Sequence, residues 1–108
     1  MSMLLTELKQ LLDQMNLPIS YREWKPGQVP ELPYLLYYEN SSDNFYADNE
    51  VFFKKTEVIV ELYTNTKNIR EENKLEELLN TNKIPFDTYE TYLSSEQMYL
   101  KAYEINNI

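Results

Sequence analysis

The stretch Thr56-Glu57-Val58-Ile59-Val60-Glu61-Leu62-Tyr63 decides the fold, because its side chains alternate in character at every second position. Successive side chains of an extended chain point to opposite sides. One side therefore receives Val58, Val60 and Leu62, and the other receives Glu57, Ile59, Glu61 and Tyr63. A period of two with β-branched residues is typical of a strand whose two faces differ. This segment is the clearest predicted strand of the chain.

Two further strands are predicted before it. Tyr34-Leu35-Leu36-Tyr37-Tyr38 is apolar or aromatic at every position, which indicates a strand covered on both faces. In a small domain with few helices, a second covered face suggests a partner subunit. The segment 19–24 alternates loosely and predicts a short strand. Residues 25–33, which contain three prolines and Gly27, predict a surface connection.

A polar segment, residues 39–50, separates the strand at 34–38 from Val51-Phe52-Phe53. Its composition predicts an extended loop, and loops longer than ~12 residues are usually functional or disordered. Phe45 and Tyr46 lie in its middle. Two interpretations stay open: these rings fold back onto their own sheet, or they anchor a contact with another protein, since aromatic residues are enriched at the centres of interfaces.

Two amphipathic helices complete the predicted elements. Ser2 can cap the first, whose apolar residues recur from Met3 to Met15 at steps of three and four before Asn16 and Pro18 end it. Asn68, with Glu71 three residues on, resembles a capping box and opens the second. We expect Asn80 or Asn82 to take the left-handed position at its end. Its apolar positions are Ile69, Leu75, Leu78 and Leu79, and its predicted solvated face contains Arg70, Glu71, Glu72, Lys74, Glu76 and Glu77.

Residues 86–93 and 98–105 predict a final pair of strands joined by the four-residue loop 94–97. The predicted order is α-β-β-β-α-β-β. Two helices packed on one face of a mostly antiparallel sheet of about five strands would make a single α+β domain of residues 1–108.

Composition excludes most familiar enzyme chemistry. The 108 residues include no cysteine, no histidine and one glycine, which removes Ser-His-Asp and Cys-His systems, thiolate or imidazole metal sites and a phosphate-binding loop. We therefore expect no catalytic residue, no cofactor and no metal. A net charge of −8 disfavours nucleic-acid binding. With no basic leader region and no stretch of ~20 apolar residues, neither export nor a membrane span is expected.

Paired carboxylates are the remaining catalytic candidates. Glu57 and Glu61 share a strand face, but four residues of strand separate their Cα atoms by about 13 Å, beyond the ~5–9.5 Å carboxyl spacing of glycosidases. Asp87 and Glu90 are a weaker pair, and we expect no enzyme activity. The ten tyrosines are the unusual feature of the composition. They suit either an ordinary sheet or a sheet whose outer face docks on another subunit.

The sequence also resembles a known family over nearly its whole length. The runs that bear the likeness are Glu31 to Tyr38, Ser42 to Asn49, Val51 to Lys55, Val60 to Thr64 and Lys74 to Leu79, followed by the final pair of strands. In order and residue type they resemble the small tail-terminator or tail-completion proteins of long-tailed bacteriophages, which join head to tail.

The resemblance implies an α+β subunit of a commonly hexameric ring that ends growth of the tail tube and offers a surface for joining the head. Its partners would be copies of itself, the tail-tube protein and a head-completion or connector protein. It would be found in the virion at the head-tail junction, after assembly in the bacterial cytoplasm. The expected interface residues are Tyr34, Leu36, Tyr38, Asp43, Phe45, Tyr46 and Phe52.

Two other functions remain as alternatives. A small acidic inhibitor that mimics DNA would occupy the basic cleft of a host nucleic-acid-binding protein, although lysines interrupt the acidic residues along the chain. A carbohydrate-active enzyme would rest only on tyrosines and carboxylates. Competition with DNA for a host nuclease and turnover of glycosides, respectively, would reveal them.

Overall fold

Five strands and two helices form the fold in the computed structural model, which describes the backbone of residues 5–47 and 50–106 and the side chains of residues 5–40 and 57–106. Helix α1 is followed by a 3-10 turn at Asp13–Met15. The elements are α1 (Leu5–Leu12), β1 (Ile19–Tyr21), β2 (Tyr34–Ala47), β3 (Glu50–Thr64), α2 (Ile69–Thr81), β4 (Asp87–Leu93) and β5 (Met98–Asn106).

One mixed sheet contains all five of these strands, in the order β1-β2-β3-β5-β4. Only β1 and β2 are parallel, and the other three pairs are antiparallel. The α+β class, the element order and the mostly antiparallel sheet agree with the prediction from sequence.

Both helices cover the same face of the sheet. Their buried leucines and Met15 form one cluster with alternate residues of the three central strands. The alternation predicted for residues 57–63 is confirmed, since Val58, Val60 and Leu62 lie in this cluster. The cluster consists of Leu8, Leu12, Met15, Leu35, Tyr37, Val58, Val60, Leu62, Leu75, Leu79, Ile84, Tyr103 and Ile105.

The long loop predicted at residues 39–50 is wrong. β2 continues to Ala47 and β3 begins at Glu50, with pairs from Glu39↔Val58 to Ala47↔Glu50 and two register shifts. Residues 41–47 and 50–56 thus form a two-stranded extension, called the ribbon below. The prediction of a loop rested on the polar composition of the segment. Polar residues indicate that a segment lies outside the core, but they do not prevent a strand, which needs only a backbone partner for its hydrogen bonds.

The ends of the helices follow local backbone rules. The Asn68 side chain accepts a hydrogen bond from the Glu71 N–H over 3.1 Å, which confirms the predicted cap of α2. The residue with positive φ after α2 is Lys83, at 58°, so the assignment of an asparagine there is wrong. The backbone N–H of Asn82 instead bonds to the carbonyl of Leu78, inside the helix end. Ile69 is expected among the apolar positions of α2 that face the core. It is 59% exposed, so that expectation is wrong.

Strand β1 is shorter than predicted because Arg22 has a φ of 67°, which turns the chain away after Tyr21. The proposed cap at Ser2 and the apolar Met3 lie outside the described residues. Within residues 5–47 and 50–106, no helix is long and apolar enough to cross a membrane.

Candidate protein interface

The sheet face opposite the helices, called the helix-free face below, is lined by aromatic and carboxylate side chains. The register between strands shows which residues lie on this face. Leu36 pairs with Glu61, Glu61 pairs with Ala102, and Tyr38 pairs with Ile59. Its aromatic and apolar strand residues are Tyr34, Leu36, Tyr38, Ile59, Tyr63, Tyr89, Leu93, Met98, Leu100 and Ala102.

The centre of the helix-free face is buried by side chains of the same chain. Tyr34 is 5% exposed, Leu36 7% and Ile59 4%. Trp24 contributes to the burial of Tyr34, because the two rings meet edge to face with their centroids 5.3 Å apart. The surface that another molecule would meet therefore consists of longer side chains, chiefly tyrosines and carboxylates.

Glu61 occupies the middle of this surface. The Tyr63 hydroxyl donates to its Oε1 over 2.7 Å, and the Tyr38 hydroxyl donates to its Oε2 over 3.2 Å. In the part of the chain whose side chains are described, no lysine or arginine forms an ion pair with it. The carboxylate thus has oriented, partly buried oxygens and no cationic partner among the described side chains.

The surrounding tyrosines remain protonated over the whole physiological range. Burial, reinforced by the charge of Glu61, raises the pKa of Tyr38 to about 12. Burial and the hydrogen bond to Glu61 raise the pKa of Tyr63 still further. Burial likewise raises the pKa of Tyr34. These rings act as neutral hydrogen-bond donors and contact surfaces.

The helix-free face is acidic. Its described strand positions include four carboxylates, Glu57, Glu61, Asp87 and Glu104, and no lysine or arginine. Arg22 follows β1 at the edge of the face, where its guanidinium lies 4.9 Å from the Tyr38 ring centroid. Basic side chains on a partner protein would favour its binding to this acidic face.

A second polar cluster lies on the helix side of the sheet and joins α2 to β4 and β5. Glu72 accepts from Lys67 over 2.8 Å and from Lys101 over 3.3 Å. Glu76 accepts from Lys101 over 2.9 Å and from the Tyr103 hydroxyl over 2.8 Å. Lys67 also pairs with Glu90 of β4. We call these six residues the α2 cluster.

The α2 cluster corrects the prediction that the charges of the second helix form a solvated face. Glu72 is 5% exposed, and its carboxylate is compensated by two lysines. The sequence did not indicate that Lys101 of β5 lies beside these acids of α2. Contacts between an acid on a helix and a base on a strand do not follow from the residue spacing of either element.

Ion pairing and hydrogen bonding set the protonation of the α2 cluster. Burial opposes the charge of Glu76, but hydrogen bonds from Lys101 and Tyr103 lower its pKa overall. Burial likewise opposes the charge of Lys101, whose pKa is nonetheless raised by Glu76 and Glu72. Hydrogen bonds to Glu72 and Glu90 raise the pKa of Lys67. Burial, with the bond to Glu76, strongly raises that of Tyr103.

The structure brings together three of the seven expected interface residues. Tyr34, Leu36 and Tyr38 lie at alternate positions of β2, all on the helix-free face. Asp43, Phe45, Tyr46 and Phe52 belong to the strands of the ribbon, and their side chains lie outside the described set. Whether these seven residues form an interface stays a prediction.

Sequence reasoning missed two residues of this site, Glu61 as its centre and Trp24 at its edge. The alternation of β3 indicated that Glu61 and Tyr63 share a face, but only the pairing Leu36↔Glu61 brings Tyr38 to the same carboxylate. The indole N–H of Trp24 is buried and has no hydrogen-bond partner among the described residues. Such orphaned donors are uncommon in native structures.

The candidate carboxylate pairs have other partners. Glu57 accepts a hydrogen bond from Asn40 over 3.0 Å, whereas Glu61 is bound by the two tyrosines. Asp87 and Glu90 point to opposite faces of β4, and Glu90 is paired with Lys67. Among the side chains that the structure describes, no group of acids is arranged to hold a metal ion.

No protein-family model, no curated protein and no solved structure matches this chain.

Proposed function

We propose that the chain is a structural assembly protein of a long-tailed bacteriophage. In this proposal it forms a ring at the end of the tail tube, ends tube growth and provides the surface to which the head is joined. The resemblance of its sequence from Glu31 to Leu79 and through the final strands supports this role. So does an amino-acid inventory without histidine or cysteine.

The main structural support is the helix-free face. A sheet with helices on one side only leaves its other side for contacts, and here that side presents tyrosine hydroxyls around Glu61. Subunits of a ring meet head to tail, so each must present two different complementary patches. A carboxylate that is oriented by two tyrosines and has no cation among the described side chains is suited to one patch, opposite a basic group on the next subunit.

The charge of the chain fits the same role. DNA passes through the end of a phage tail, and a wall with basic residues would bind its phosphates. A subunit with a net charge of −8 would instead repel them. The acidic composition therefore favours a channel through which DNA moves without binding.

Removal of the gene from its phage tests the proposal. We expect filled heads and free tails that are not joined, with tubes of irregular or excessive length, visible by electron microscopy. Normal infectious particles from the deletion would contradict the proposal.

Complementation of that deletion tests the helix-free face itself. Glu61→Gln keeps the shape of the side chain and one acceptor oxygen for a tyrosine hydroxyl, but it replaces the other oxygen by an NH2 donor and removes the charge, so we expect few joined particles. Glu104→Gln is the matched control, because Glu104 is another acid of the same face, paired with Ile59. It should restore joining. Equal titres from the two variants would show that Glu61 is not a contact residue.

An acidic inhibitor that mimics DNA is the second candidate. The observation in its favour is the set of four carboxylates on the helix-free face without a basic strand residue. Against it, three acids on the other side of the sheet, Glu72, Glu76 and Glu90, are neutralised by lysines. Displacement of DNA from a host nuclease by the purified chain would favour this candidate over the ring.

A further inference from the structure

Strand β4 forms an open edge of the sheet. It is the outermost strand, and its register with β5 is continuous from Asp87↔Glu104 to Leu93↔Met98, without a bulge. Six of its seven residues are exposed, and its sequence, DTYETYL, contains neither lysine nor proline. Charged side chains, prolines and bulges are the usual means by which proteins protect an edge from pairing with another strand. β4 has no proline and no bulge, and its acids, Asp87 and Glu90, disfavour pairing only with strands of like charge.

The opposite edge of the sheet is protected. β1 has only three residues. Where it ends, the side chains of Tyr21 and Arg22 form hydrogen bonds with the backbone of β2. The N–H of Glu39 donates to the Tyr21 hydroxyl over 3.1 Å, and Arg22 donates to the carbonyl of Glu39, also over 3.1 Å. An added strand could not bond to Glu39 without displacing both. The edge at β1 is therefore blocked by side chains, whereas the edge at β4 is free to pair with another strand.

The ribbon has an open edge on each of its strands. β2 beyond Asn40 has β3 as its one described neighbour, and β3 has a similar free side. β5 pairs with β3 only as far as Glu57↔Asn106 within the described residues, so β3 from Glu50 to Thr56 has β2 on one side and no described strand on the other. This segment has the sequence EVFFKKT. It combines aromatic residues with Lys54 and Lys55, two of the ten basic residues of the chain, and with a register shift between Phe53 and Val51. These lysines and this shift limit pairing with strands that lack complementary charge.

These two edges are complementary in charge and in residue type. β4 offers Asp87 and Tyr89, and the ribbon edge offers Phe53 and Lys55. An antiparallel pair with Asp87 opposite Lys55 also places Tyr89 opposite Phe53. Opposite charges and aromatic pairs across two strands are stabilising. Two β4 strands in full antiparallel overlap would instead place Glu90 opposite Glu90, which is destabilising.

We propose that β4 of one copy binds the ribbon edge of a second copy, residues 50–56, as an added antiparallel strand. The contact joins two different surfaces, so it repeats from copy to copy in one direction. The inference rests on the proposed ring and supplies its head-to-tail contact. Backbone hydrogen bonds would provide affinity, and the acid-lysine and aromatic pairs would fix the register.

Site-directed cross-linking tests this contact with little background, because the chain contains no cysteine. One full-length variant carries Thr91→Cys on β4 and a second carries Val51→Cys on the ribbon, which the proposed register brings within one residue of each other across the register shift between Phe53 and Val51. They are mixed at high protein concentration and high salt and treated with a short thiol-to-thiol reagent that tolerates a shift of one residue. Asn73→Cys on the exposed side of α2 replaces Thr91→Cys in the control.

We expect a covalent dimer from the mixture, and none from either variant alone or from the control. A dimer from Thr91→Cys alone would indicate pairing between two β4 strands, and one from Val51→Cys alone would indicate pairing between two ribbons; either overturns the inference. Rings by electron microscopy without cross-linking would reject this contact and leave the proposed function standing. No ring and no cross-linking would reject both.

A charge exchange checks the register without cysteines. Asp87→Lys should shift the assembly of the full chain to several-fold higher protein concentration, since it sets lysine against Lys55. Adding Lys55→Asp in the same chain should restore assembly. Failure of the double variant to recover, when its circular dichroism is that of the original chain, would contradict the proposed pairing.

Discussion

Glu61 and Glu76 are both bound by tyrosine hydroxyls, but only Glu76 is also bound by a lysine. Lys101 and Tyr103 hold Glu76 at 2.9 Å and 2.8 Å, on the helix side of the sheet. Glu61, on the helix-free face, accepts from Tyr63 and Tyr38 alone among the described residues. Two similar carboxylates therefore differ in role: Glu76 fastens α2 to β5, while Glu61 is available to a cation from outside.

The first prediction at this scale concerns Glu76. Glu76→Ala should lower the free energy of unfolding by about 1–3 kcal/mol, because the buried Tyr103 hydroxyl and the half-buried Lys101 lose their acceptor. Glu77→Ala is the matched control, since Glu77 is the next residue of α2 and is exposed. It should change stability little. Urea unfolding at neutral pH measures both, and equal losses would show that the α2 cluster adds no stability.

The same pair of variants has a defined pH dependence. Because the pKa of Glu76 is lowered by folding, its contribution is complete above its ordinary pKa of 4.5 and is lost as the pH falls through the folded value. The stability difference between the original chain and Glu76→Ala should thus shrink on acidification. Lys101, whose pKa is raised, retains its charge throughout that range.

At the scale of elements, the ribbon is the part of the fold with the fewest neighbours among the described residues. β2 and β3 pair from Tyr34↔Tyr63 to Ala47↔Glu50, but their described neighbours β1 and β5 cover only the part near the helices. A two-stranded hairpin alone is marginally stable at best in water. The ribbon therefore gains most if another surface binds it.

Replacement of both Phe45 and Tyr46 by serine tests the ribbon as a contact element. The melting temperature of the monomer should remain nearly unchanged, while assembly should be abolished, since loss of aromatic hot-spot residues typically costs ~2 kcal/mol or more of binding. Differential scanning calorimetry and light scattering measure the two properties. A large fall in melting temperature would instead place these rings in the core of their own subunit.

Elements with a clear period could be predicted from the sequence, and those defined by partners could not. The alternation of Glu57 to Tyr63 and the cap at Asn68 are local signals, and both are confirmed. The ribbon was mistaken for a loop because its partner strand compensates for a polar composition. The centre of the candidate interface needed the pairing of Leu36 with Glu61, which depends on the register between two strands.

At the scale of the whole molecule, shape and charge act in opposite directions. The chain measures 49 × 31 × 22 Å, and an elongated body of this kind has long edges. Each copy also bears a charge of −8, and like charges repel. Repulsion between exposed charges is screened as the Debye length falls from ~10 Å at 0.1 M salt to ~3 Å at 1 M salt. Ring closure should therefore depend on conditions.

Multi-angle light scattering across a series of salt and protein concentrations tests the central claim, that this chain assembles into rings, most directly. We predict monomers in dilute, low-salt buffer and a shift to one discrete ring mass at high protein concentration, at high salt or with tail tubes present. A tight ring at micromolar concentration and low salt would reject control by charge but keep the ring. A protein that stays monomeric whatever the concentration, salt or presence of tubes would contradict the ring itself.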